Sequence, residues 1–133
     1  MNRILAVSLL TAAATAAAAG PYDQPYSIIQ TDTAKSSDYL LIPVIVNRVD
    51  DVTVVDNRAV VAPGPHKVTV DVPPRKGFNR ATQNTFDLET KACVRYAVSA
   101  KLDSRTTQNW TPVVRYEERI GECEAKFKVA AGK

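Results

Sequence analysis

From His66 to Val72 the chain alternates without a break: Val68, Val70 and Val72 fall on one side, Lys67, Thr69 and Asp71 on the other. Successive side chains point to opposite faces in a strand and not in a helix. The segment therefore reads as a half-buried strand, and Pro63-Gly64-Pro65 before it and Pro73-Pro74 after it fix its ends. The texture recurs. Tyr39 to Val46 is an apolar, β-branched run, bulged or at an edge where Pro43 lacks a donor. Val52 to Val55, Val60-Val61 and Thr85 to Leu88 are shorter runs, with turns expected at Asp50-Asp51 and Asp56-Asn57. Cys93 to Leu102 alternates cleanly, and Val113 to Ile120 with Cys123 to Val129 reads as a return strand interrupted near Gly121. No stretch after residue 19 carries a convincing helical period.

Residues 1–19 have a different character. Met1-Asn2-Arg3 is a short positive start, Ile4 to Leu10 is apolar, and Ala17 and Ala19 place small residues before Gly20. This is the pattern of a cleavable secretory signal, and the apolar stretch is barely long enough for a hydrocarbon layer of about 30 Å. The expected products are a signal peptide (1–19), a polar N-terminal arm (20–38) with Tyr26-Ser27-Ile28-Ile29 as a short edge strand, and one β domain (39–133). No transmembrane anchor is expected after cleavage. The location implied is periplasmic or secreted. Of 17 basic residues Arg3 alone precedes Gly20, leaving 16 against 14 acids, a net charge of +2. Such a balance gives no clustered stripe of the kind nucleic acid requires.

In an oxidising compartment the two cysteines, Cys93 and Cys123, read as one disulfide. If the last two strands form a hairpin centred near residue 108, Cys93 faces Cys123, and Leu102, Ala100 and Tyr96 face Val114, Tyr116 and Ile120. Val98 against Glu118 is the misfit, which a bulge would absorb. Together these elements predict an all-β chain: a single sandwich of about seven strands, immunoglobulin-like or transthyretin-like.

The chemistry-bearing residues are few. His66 is the sole histidine and lies beside the Pro-Gly-Pro turn. Zinc wants three or four ligands, and a hydrolytic triad wants a nucleophile motif that is missing, so a turn-side structural role is expected. Asp50 and Asp51 read as turn formers, since a calcium site needs more oxygens. Glu117, Glu118, Glu122 and Glu124, interleaved with Arg115, Arg119, Lys126 and Lys128, read as a mixed solvated surface. No catalytic residue, metal ligand or cofactor is expected. The candidate partner contacts are Arg75, Lys76 and Arg80 around Phe78, and Trp110. The first four form a basic loop suited to an anionic polymer or an acidic protein patch, or an ordinary solvated loop. Trp110 is either a binding hot spot or a core residue capping the hairpin.

Val61-Ala62-Pro63-Gly64-Pro65-His66-Lys67-Val68-Thr69-Val70 resembles the core of PEGA-type domains, small β-sandwich modules of bacterial envelope proteins. Val49-Asp50-Asp51 resembles the strand and turn that precede it there. Cys93-Val94-Arg95-Tyr96 and Trp110-Thr111-Pro112-Val113 resemble segments of related small exported proteins. The resemblance covers most of residues 44–123. It implies a sandwich and a non-catalytic role, with no site residues to carry over. The function expected is that of an exported envelope protein binding another protein or a cell-wall polymer. The alternatives are a small inhibitor of a hydrolase and an enzyme whose site has no recognisable motif.

Overall fold

The computed structural model describes residues 20–74 and 82–129. Two sheets pack face to face. The first is five-stranded: β1 (Ser27–Thr31), β2 (Leu41–Ile42), β5 (Arg58–Val61), β8 (Val94–Leu102) and β9 (Trp110–Arg119). The second is four-stranded, in the order β4 (Val52–Thr53), β3 (Ile45–Val49), β6 (Gly64–Val72), β7 (Thr82–Thr90). The fold is an all-β sandwich, with nine strands among the described residues rather than about seven. Part of the increase has a local cause. Pro43 offers no N–H to a ladder, so the run Tyr39–Val46 splits there. Leu41-Ile42 pairs with β8 in one sheet and Ile45 onward pairs with β6 in the other.

Between the sheets lie Ile29, Ile42, Val44, Val46, Val49, Val98, Ala100 and Trp110, with the three alternating valines of β6 fully buried. The strand His66–Val72 is thus placed as its alternation predicts. Both expected turns form. Asp50-Asp51 joins β3 to β4, and Asp56-Asn57 precedes β5. All four residues have positive φ, 51° to 64°, the conformation that two-residue hairpin turns require and that Asp and Asn tolerate best.

Three expectations are corrected. The segment 20–38 is not a loose arm with an edge strand. β1 lies inside the five-stranded sheet, antiparallel to β5 on one side and parallel to β8 on the other. Ile28 and Ile29 are both buried although they point to opposite faces, because both faces of the sheet are covered there. The second correction is the hairpin. β8 and β9 do pair antiparallel, but Leu102 meets Trp110 and Ala97 meets Tyr116, with a bulge between Ala97 and Val98. The strands pair right up to a short loop closed by Asp103 N–H on Asn109 C=O, so the ladder is centred nearer residue 106 than 108.

The third correction concerns Cys123 to Val129, which is not strand. Gly121–Phe127 is a helix, α1, lying on the outer face of the five-stranded sheet. The sequence suits either structure. Cys123, Ala125, Phe127 and Val129 alternate with charged residues, yet Cys123 and Phe127 are also one helical turn apart. The tether decides. β9 ends at Arg119, Ile120 N–H donates to Cys93 C=O, and the chain turns back to cover Tyr26 and Ile28. Cys93 and Cys123 are disulfide-bonded as expected, S–S 2.04 Å, but join the start of β8 to a helix rather than facing each other across a ladder. Glu122 and Glu124 sit in the first turn and Lys126 in the last, matching the helix dipole. Among the described residues no helix is long and apolar enough to cross a membrane.

Candidate functional site

Two clusters of polar side chains are built with care. The first forms at the β3–β4 turn. The left-handed backbone of Asp50 and Asp51 aims the Asp50 carboxylate back at β6. One oxygen accepts the Lys67 N–H at 2.8 Å; the other lies 2.5 Å from Nδ1 of His66. The second ring nitrogen, Nε2, lies 2.6 Å from the Ala62 carbonyl. The ring is therefore held at both nitrogens, with its side chain only 11% exposed. These hydrogen bonds, from His66 first and then from the Lys67 N–H, hold the Asp50 carboxyl below the usual carboxylate range. Asp51, Lys67, Asp87 and Glu89 border the same open groove. Among the described residues no group of three or more His, Cys, Asp or Glu side chains is arranged to hold a metal ion.

The second cluster was not anticipated. On the outer face of the five-stranded sheet, beyond the end covered by α1, Asp32 is buried with its side chain 2% exposed. Its carboxylate accepts from Arg115 at 2.8 Å, from the Ser99 hydroxyl at 2.9 Å and from the Ala34 N–H at 2.9 Å. Arg115 also donates to the Ala34 carbonyl at 3.1 Å. Burial pushes the Asp32 carboxyl up. The hydrogen bonds and the guanidinium charge together outweigh it, and the group ionises below its ordinary value. The bulge makes this possible: Arg115 and Tyr116 together answer the single residue Ala97, and a bulge re-aims a side chain that regular alternation would send elsewhere. In sequence the one available signal is Ser99, a hydroxyl within an otherwise apolar stretch of β8; the bulge itself leaves no mark.

Of the predicted contact residues, Arg75, Lys76, Phe78 and Arg80 lie outside the described residues. Trp110 is core: it is 8% exposed, packs among the inter-sheet valines and donates Nε1–H to Thr82 Oγ1 at 2.7 Å. Its burial places it in the core, at the point where β9 meets β7. The acids and bases of β9 divide. Arg95 pairs with Glu118 and Arg119 with Glu124 at the surface, whereas Arg115 turns to the buried carboxylate.

Comparison with family models, with curated proteins and with solved structures finds no match.

Proposed function

We propose that this chain is an exported, non-catalytic module that binds an envelope protein or a cell-wall polymer. The observation that carries the reading is the state of His66. The chain's one histidine has a carboxylate on one ring nitrogen and a carbonyl on the other. A general base needs a free nitrogen in reach of a substrate proton, and this ring is instead the clamp that ties the β3–β4 turn to β6. The buried disulfide agrees with an oxidising compartment, and the signal-like residues 1–19 and the likeness of residues 61–70 to PEGA-type domains point the same way.

The test is to express the full chain, tagged at its C-terminus, in the cell that encodes it. The expected result is recovery from the envelope with a start at Gly20, thiols that alkylate only after reduction, and a stoichiometric partner or wall fragment. His66→Ala is expected to leave that partner bound. Turnover of any substrate that disappears in His66→Ala, or recovery with two free thiols, overturns the reading.

A further inference from the structure

Among the described residues five strands are paired on one side only, and all but β7 are protected. β2 and β4 are two residues long. β5 has four and opens with the exposed Arg58. β9 carries Pro112, the Arg115 bulge and a run of charges. Short strands, prolines, bulges and charges are the devices that stop an edge from recruiting another chain. β7 has none of them apart from two acids. It is nine residues long, without proline, glycine or lysine, and pairs with β6 in unbroken register from Thr82 to Thr90.

Its backbone groups not bonded to β6 have no strand partner among the described residues, and their direction follows from β6. Lys67 turns both backbone groups away from β7: its C=O accepts from the Asp50 N–H at 2.8 Å, and its N–H donates to the Asp50 carboxylate at 2.8 Å. In an antiparallel ladder, pairs that bond each other alternate with pairs that turn away. Lys67 and Asp87 are thus a turned-away pair. The N–H and C=O of Asp87 point out of the sheet, and those of Gln83, Thr85 and Glu89 do the same by alternation. The side chains of these four residues are exposed, while Phe86 and Leu88 between them turn to the core.

The geometry points to β7 as a strand-addition site for an extended polypeptide with basic residues at alternate positions. Asp87 and Glu89 lie two apart on the solvent face, so a paired strand sets residues two apart directly opposite them. Asp51, exposed on the same groove, adds to the negative charge, and Lys67 offsets it only through a 3.6 Å contact between highly exposed groups. The intervening residues of the added strand fall on the side of Phe86 and Leu88, where apolar side chains extend the core. Backbone pairing then supplies affinity and the alternate charges supply register. The inference rests on the binding-module reading and names its partner's chemistry.

The probe is the peptide acetyl-Lys-Val-Lys-Val-Lys-Val-amide, titrated into the oxidised protein and followed by backbone amide NMR. The amides of Thr85, Asp87 and Glu89 should shift and slow their exchange, and the Glu-Val counterpart should bind at least about tenfold more weakly. Asp87→Pro removes an outward donor while leaving the ladder to β6 whole, and should weaken binding about tenfold without lowering the melting temperature. If that variant folds poorly, the pair Asp87→Lys and Glu89→Lys should invert the preference to the Glu-Val peptide. Absence of binding, shifts confined to other strands, or equal affinity for the two peptides overturns the inference. Retention of a native partner by Asp87→Pro discards the edge and leaves the binding-module reading standing. Turnover that depends on His66 discards that reading, whatever the peptides do.

Discussion

At one end of the outer face of the five-stranded sheet the cover is a helix and a disulfide; at the other it is a carboxylate and a guanidinium. The first end buries Tyr26, Ile28, Ile120 and Cys93 against α1, whose own buried residue is Cys123. The second buries Asp32 and Ser99 beneath Arg115. Both ends seal the same strands, β1 and β8, but with interactions of different kinds. Apolar burial and a covalent link are indifferent to acid. An ion pair is strong only while both partners are charged, and removing one leaves the other stranded. The two ends should therefore fail under different conditions.

The largest effect is expected at the covalent end. Replacing Cys93 and Cys123 together by alanine should lower stability by about 3.5 kcal/mol, the chain-entropy value for a loop of this size. The loss should be read in urea as a parallel shift of the midpoint at every pH. A loss confined to acid would show that the two ends are coupled. Arg115→Ala comes next, at about 2–3 kcal/mol near neutral pH, because it leaves Asp32 buried without its cation. A change of a few tenths would mean that Ser99 and the Ala34 N–H suffice.

The third effect is the pH dependence of the ionic end. Asp32 ionises below its ordinary value of 3.8 in the folded protein, so the unfolded chain takes up the proton first as the solution is acidified. The stabilisation is complete above that ordinary value and is lost as pH falls through the lower folded one. Urea midpoints of the native chain should fall more steeply below pH 4 than those of Asp32→Asn, whose amide has no proton to gain there. Equal slopes would assign the acid sensitivity to Asp38 and Asp50, which also ionise low, through Lys101 and His66 respectively. The smallest effect is at the cap of α1. Lys128 is exposed and left-handed, φ 52°, with its N–H on the Glu124 carbonyl. Lys128→Gly should stabilise by about 0.5–1 kcal/mol, since glycine takes that conformation without a Cβ clash. The gain should vanish in the double cysteine variant if the disulfide alone holds the helix down.

The features legible in the sequence were those governed by neighbours along the chain. The alternation of β6 and β8 and the turns at Asp50-Asp51 and Asp56-Asn57 are written within a few residues, and each forms. The cysteine pair was legible from its number and from the exported location expected for the chain, although the ladder drawn to explain it was not the one that forms. What escaped is set by distant contacts. Tyr26-Ser27-Ile28-Ile29 looks like an edge strand until β5 and β8 supply neighbours on both sides. Pro43 announces a defect in one strand, not a passage between two sheets. Nothing near Arg115 says that an extra residue in β9 will turn it toward Asp32, and Asp32 itself lies in a stretch whose local composition resembles a linker. The site was thus less legible than the fold, because polar networks are assembled across the chain.

The parallel pairing of β1 with β8 has a consequence for when the molecule can exist at all. Ile28 bonds in register with Arg95, and Thr31 with Val98. A chain that emerges from its first residue presents β1 early, and β5 can reach one side of it. The other side, and the cover that α1 brings to Ile28, arrive only when the last third has emerged. Such long-range closure makes acquisition of structure slow and late. Until then an isoleucine-rich strand stays without its second neighbour, and the link between Cys93 and Cys123 has to wait until residue 123 has emerged.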